Sequence, residues 1–420
     1  MKSLLLLISI FSIYKSHYIK FPFKKYSKYK EGTNYFDYLE KNDLCIILEI
    51  GTPPQEIPIF LNFESYIFYI SGLNLNGIYN EKKTSTFKYR ISNKTSSFYS
   101  EQISEGYDVI DTIKLNDIKN NKIELNTFNF IIPTKITKNQ EKVFLQSSLG
   151  LKMHDSLILS KTNLIHQLKE NSIIDSYGWT IKYIKEDEGE IIIGGYPHEY
   201  DSNFDENFFR NTKAEVRYSL VNWDLLFDNI YSGKTEIDGI KHVELDITLG
   251  FIRGIASYEK LLNEQFFNLK TNCKRENSTN YFYYICDKNE KISDFPNLEL
   301  YLKEFQTTFI FTYKDLFVLK DNKYYCLIVF DNTYKAKNWR IGKPFFKKYQ
   351  LSFESDRKLI VFYNGKKGLN FLWMIVILLL IIIIILIFLM IKKYISLPRK
   401  IRANELNEDI EYLIQEEKKT

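Results

Sequence analysis

The chain has 420 residues, 45% of them apolar and 16% aromatic, which is enough for a large core divided among two or three domains. The formal net charge is +5, and the lysines are scattered or flank apolar segments without a basic stripe interleaved with aromatics, so nucleic acid is not an expected partner. Five dispersed His and four Cys without a Cys/His cluster argue against a metal site, and no cofactor is expected.

The N-terminus, "MKSLLLLISIFSIYKS", has one Lys, about ten apolar residues, then small and polar ones. This pattern predicts a secretory signal peptide over residues 1–16. Between residues 17 and 365 the chain holds many short runs of β-branched and aromatic residues, among them "CIILEIG", "PIFLNFESYIFYI", "TFNFIIP", "GEIIIGG", "TFIFTY" and "KLIVFY". Polar, Asn- and Gly-bearing turns separate them, which predicts a mainly antiparallel β ectodomain. Two segments carry apolar residues at helical spacing, "DSLILSKTNLIHQLKEN" and "SYEKLLNEQFFNLKTN".

The organisation repeats. An apolar strand runs into Asn62-Phe63-Glu64-Ser65, and 88 residues after Asn62 comes "SLGLK" with Gly150. Val243-Glu244-Leu245 runs into Asp246-Ile247-Thr248, and 96 residues after Asp246 comes "WRIGKPFF" with Gly342. A strand-turn followed by an apolar-Gly strand in each half predicts a duplicated, bilobal fold with the two strand-turns meeting at a pseudo-twofold axis.

Phe371 to Ile391 is a run of 21 uncharged residues, about 31 Å as a helix and long enough to span a bilayer. Lys366 and Lys367 precede it, while Lys392, Lys393, Arg399, Lys400 and Arg402 follow. The heavier positive flank predicts a single-pass type I topology: a lumenal or extracellular ectodomain, a transmembrane helix at 371–391 and a cytosolic tail at 392–420. The expected location is the endomembrane system or the plasma membrane.

Four cysteines, Cys45, Cys273, Cys286 and Cys326, allow three complete pairings in an oxidising compartment. Cys45 lies in the apolar strand "LCIILEI" and reads as a buried thiol. Asn93-Lys94-Thr95 and Asn277-Ser278-Thr279 are glycosylation sequons suited to a lumenal surface.

Taken in order, these segments resemble the pepsin-type aspartic proteases over roughly residues 18 to 363. "IGTPPQ" (Ile50–Gln55) is similar to that family's entry strand, and its register puts Asn62 at the first catalytic Asp and Ser65 at the Ser of the catalytic turn. "SSFYSEQISEG", counted back from Asp111, places Tyr99 on the flap tyrosine, and "HVELDITLGFIRG" places Asp246 on the second catalytic Asp. "ICDKNEKISDFPNLEL" followed by "YYCLIVFD" resembles the second-lobe cystine, which implies a Cys286–Cys326 bridge worth about 4 kcal/mol in the loop-entropy model. Cys273 is left without an obvious mate. "YIKFPFKKYSKYK" looks like the start of a prosegment. The resemblance implies a prosegment-like region at 17–33, an N-terminal β lobe at 34–200, a C-terminal β lobe at 201–365 and a cleft between the lobes.

The chemistry departs from the family. Aspartic proteolysis uses two carboxylates sharing one proton, and the Asn62 carboxamide cannot take a proton from water. Phe63 and Ile247 stand where hydroxyls tie the two turns together, and Glu64 and Thr248 stand where each turn has Gly. The expected function is therefore a catalytically impaired peptidase homologue that binds peptide or protein segments in the cleft. The alternatives are an active membrane-bound endopeptidase (a hydrolase pairing Asp246 with an unconventional acid such as Glu64) and a structural surface ectodomain with a collapsed cleft. Asp246 itself reads either as the retained second catalytic Asp or as an ordinary turn residue.

Overall fold

A computed structural model of the chain describes residues 17–28, 30, 34–63, 65–75, 77–91, 103–116, 122–136, 147–153, 160–215, 222–332, 338–365 and 371–418. Tyr99, Asn93 and Glu64 lie outside these residues, as does the signal-peptide segment. The chain divides into two compact units, Met1–Gly365 and Lys366–Thr420.

The first unit is built on three β-sheets of twelve, eight and four strands. Strands follow the apolar runs because alternate residues face opposite sides of a sheet and one side is buried. In Ile19–Lys25 the residues Ile19, Phe21 and Phe23 point inward, while Pro22 and Lys24 are exposed. This strand, expected to begin a prosegment, lies inside the twelve-stranded sheet. It pairs antiparallel with Glu188–Ile193 over six register positions and with the start of Leu44–Ile50. The same sheet takes in Gly178–Tyr183 and, from the end of the first unit, Ser352–Glu354 and Leu359–Tyr363. The sheet thus joins strands from both halves of the sequence. The eight-stranded sheet carries His242–Leu245, Trp339–Ile341, Lys323–Asp331, Tyr281–Asp287 and Cys273–Asn277, so it belongs to the second half alone.

The two helical expectations are met by shorter elements. Leu164–Glu170 is a seven-residue helix whose N-cap, Asn163, accepts from His166 N at 3.1 Å. Ala256–Gln265 is a ten-residue helix that buries Tyr258 and Leu262 and gives way to a 3-10 turn at Phe267–Leu269.

The second unit contains one helix, Phe371–Glu417. Side chains are described for Leu378–Ile391 of its apolar part, and all are exposed. Among the described residues no helix is long and apolar enough to cross a membrane.

The cysteine pairing implied by the resemblance is corrected. The bridge joins Cys273 to Cys286, which face each other across adjacent antiparallel strands at a Cα–Cα distance of 4.0 Å. Cys326 sits opposite Phe317, and the place across from Cys286 on its strand is taken by Tyr324. Cys45 and Cys326 are free and buried, and burial pushes the Cys326 thiol up to about 12. Closing 13 residues rather than some forty gives the bridge about 3 kcal/mol in the same entropy model.

Candidate functional site

Two strand-turns are built alike. Gln55–Asn62 runs parallel to Ser147–Gly150 with Asn62 opposite Gly150. His242–Leu245 runs parallel to Trp339–Ile341 with Leu245 opposite Ile341, and Asp246 N donates to Ile341 O at 2.9 Å. This brings Asp246 level with Gly342. Each glycine is required by close approach. A Cβ on Gly150 would lie 2.4 Å from Ile67 N, and one on Gly342 would lie 2.2 Å from Leu249 O. The chain after Asn62 and the chain after Asp246 each fold back onto a glycine backbone.

Three hydrogen bonds connect the turns. Leu151 N donates to Asn62 O at 2.8 Å, the Trp223 indole donates to Leu151 O at 2.6 Å, and Leu245 N donates to Trp223 O at 2.9 Å. The next residue is Asp246. Sequence-distant residues 62 and 246 are thereby wired to a single buried tryptophan, which is 1% exposed.

The contents of the turns differ. Phe63, where the resemblance expects a hydroxyl, is buried edge-on to Trp179, Phe346 and Phe353 at centroid distances of 5.2, 5.8 and 5.8 Å. Ser65 is buried, with its Oγ accepting from Ile67 N at 3.1 Å and its carbonyl accepting from Lys152 N at 3.0 Å. Both contacts hold the turn itself. Asn62 is half-buried.

Asp246 is 1% exposed, and both of its oxygens are engaged. Oδ1 accepts from Thr248 N at 2.9 Å and from Thr248 Oγ1 at 2.6 Å. Oδ2 accepts from Arg340 Nη2 at 2.5 Å. The same guanidinium lies 3.3 Å from Glu244 Oε1. Arg340 is the functional residue that the sequence reading missed. Part of the signal was present: Glu244 and Asp246 stand two residues apart at the end of one strand, and Arg340 is the one charged residue in the apolar run "WRIG". The register Glu244↔Arg340 then makes the three charges neighbours.

Chemically, the site holds the Asp246 carboxylate tied to a guanidinium that also faces Glu244. A carboxamide and a guanidinium have no basic lone pair to take a proton from water. Ile247 is buried at 1% exposure, and its carbonyl accepts from Asn42 Nδ2 at 2.7 Å. The backbone beside it is also engaged. Asn42 N donates to Thr248 O at 2.8 Å and Gly250 N donates to Glu40 O at 3.0 Å, an antiparallel bridge centred on Lys41 and Leu249. Residues 40–42 therefore cover the edge of the turn that follows Asp246. Asn277 ends the strand Cys273–Asn277 and is exposed, as a glycosylation acceptor must be.

The sequence model of the eukaryotic aspartyl proteases matches residues 45–364, which is most of the chain. The chain belongs to the eukaryotic aspartyl protease family. No curated protein matches it. Among solved structures it is similar to basic 7S globulin from soybean, with 11% identity, a TM-score of 0.61, and coverage of 84% of this chain and 96% of that one. It is equally similar to conglutin gamma, a basic 7S globulin from lupine seeds, with 10% identity, a TM-score of 0.61 and the same coverages. At such identities the likeness shows the fold alone. As an aspartyl protease family member, the chain carries Asn62 and Asp246 on the paired strand-turns of a mainly β, pepsin-like fold.

Proposed function

We propose that this family member is a type I membrane-anchored, catalytically impaired homologue that binds peptide or protein segments in the groove between its lobes. The observation that carries this reading is the Arg340–Asp246 contact at 2.5 Å, set beside an amide at residue 62. Hydrolysis by this fold needs one group to deprotonate water and another to protonate the scissile carbonyl. Asn62 can do neither, and the Oδ2 of Asp246 is held by the Arg340 cation. Loss of one member of a coupled pair costs at least about 10²–10⁴ in rate. The remaining role for a groove of this kind is recognition, with affinity from backbone pairing and specificity from side-chain pockets.

The anchor is the uncharged run Phe371–Ile391 within the helix Phe371–Glu417, with the ectodomain lumenal or extracellular and glycosylated at Asn277 and Asn93. Two measurements test the reading. Membranes from expressing cells, washed at alkaline pH, are expected to retain the full chain and to release a chain truncated at residue 365; release of both sinks the anchor. A peptide array probed with the purified full chain is expected to show sequence-dependent, saturable binding. An array without such binding favours the collapsed-cleft, purely structural alternative.

A further inference from the structure

A pocket of about 490 Å³ is lined by neither Asp246 nor Asn62. Its walls bring together five lysines, Lys25, Lys314, Lys343, Lys347 and Lys348. Apolar side chains, including Leu39, Phe317, Leu319 and Leu327, supply the rest of the lining, beside two acids, Glu186 and Asp315.

The charges do not balance. Lys343 is 7% exposed and bonds Asp187 at 2.7 Å and Glu186 at 2.8 Å. Lys347 shares Glu186, and Lys348 bonds Asp315 at 2.6 Å. Asp187 is further occupied by the Tyr38 hydroxyl at 2.7 Å. Three carboxylates thus answer three of the lysines. Among the described residues, Lys25 and Lys314 have no carboxylate within ion-pair distance. Lys25 is 8% exposed and donates only to a carbonyl, Tyr38 O at 2.6 Å, with its ammonium 3.6 Å from the Tyr38 ring centroid. Burial, and then the neighbouring charge of Lys343, push the Lys25 ammonium down to about 8. Asp187, Asp43 and Glu186 act on Lys25 from beyond contact distance, and Lys314 is exposed. Five lysines against two lining acids still leave a half-enclosed, partly apolar cavity with a net positive potential that an anion relieves. The volume is that of a small-molecule site, larger than an inorganic ion needs.

We infer that this pocket is a binding site for a small organic dianion, a phosphate monoester or dicarboxylate attached to an apolar group, held by Lys25 and Lys314 with its apolar part against Leu39, Phe317 and Leu327. Neither Asp246 nor Asn62 lines this site, and its test does not depend on the proposed peptide groove.

The test is calorimetric titration of the full-length chain in detergent at fixed ionic strength and pH 7, using phenyl phosphate, phenylmalonate and phenol as probes. Saturable 1:1 binding of one or both dianions, with none of phenol, is the expected result; the tighter dianion identifies the head group. Lys314→Ala removes an exposed side chain, so the variant folds, and it is expected to weaken binding by about tenfold, the loss of one charge-assisted contact. Lys25→Met is expected to act in the same direction. The inference is overturned if neither dianion saturates the chain, if phenol binds as well as the dianions, or if Lys314→Ala leaves the affinity unchanged.

Discussion

The turn at Asn62 and the turn at Asp246 share a frame and differ in what fills it. Both end a strand that runs parallel to an apolar-Gly strand, and both fold back onto glycine. The first is closed by aromatic packing around Phe63, the second by a buried ion pair between Asp246 and Arg340. A frame fixed by backbone pairing and glycine contacts tolerates different chemistry in its two copies. What the catalytic version of the fold asks of both turns at once, a matched pair of acids, is absent here from one and neutralised in the other.

The largest expected effect lies on the ionic side. Arg340→Leu strips the cation from a carboxylate that is 2% exposed and is expected to cost about 3–5 kcal/mol in urea unfolding. Arg340→Leu combined with Asp246→Leu removes both charges and is expected to recover most of that loss. If the single variant unfolds no more readily than wild type, the second turn is not held by its ion pair. On the aromatic side, Phe63→Leu keeps an apolar side chain but loses three edge-on ring contacts, an expected cost of about 2 kcal/mol. Trp223→Phe tests the link between the turns. It leaves the buried Leu151 carbonyl without its indole donor and is expected to cost about 1–2 kcal/mol. An equal loss from Trp223→Phe in the Phe63→Leu background would show that the link and the aromatic packing act independently.

The smallest effect is on pH dependence, beside the lysine pocket. Burial is the largest single influence and would raise the Glu186 and Asp187 carboxyls, but Lys343, together with Lys347 at Glu186 and with Tyr38 and Lys25 at Asp187, outweighs it, and both sit below their ordinary values. Their folded forms hold protons less tightly than the unfolded chain does. The stabilisation is therefore present above the ordinary carboxylate range and is lost as pH falls through the depressed values. Lys343→Met is expected to flatten the acid limb of a melting-temperature profile below about pH 5. An unchanged limb would remove these carboxyls from the account.

Much of the duplicated frame was legible in the sequence, because it rests on local signals. Apolar runs ending at Asn62 and Asp246, and glycines at Gly150 and Gly342, mark strand ends and close approaches wherever they occur. The contents of the second turn were not. The Asp246–Arg340 contact depends on the register of two strands nearly a hundred residues apart, and no local pattern records that register. The cystine failed for a different reason, because family spacing was followed over a local pairing. Cys273 and Cys286 are neighbours only because their strands form a hairpin, and family spacing pointed instead to Cys326. The place of Ile19–Lys25 between Glu188–Ile193 and Leu44–Ile50 is a non-local pairing, invisible in a segment that resembles the start of a prosegment.

The most direct test of the account is proteolysis itself. Purified full-length chain, Asp246→Ala and Asn62→Asp would be incubated with a diverse peptide library from pH 3.5 to 7. No cleavage above background is expected from any of the three, including Asn62→Asp, because Arg340 still holds Asp246. Cleavage by the wild-type chain that disappears in Asp246→Ala would contradict the account.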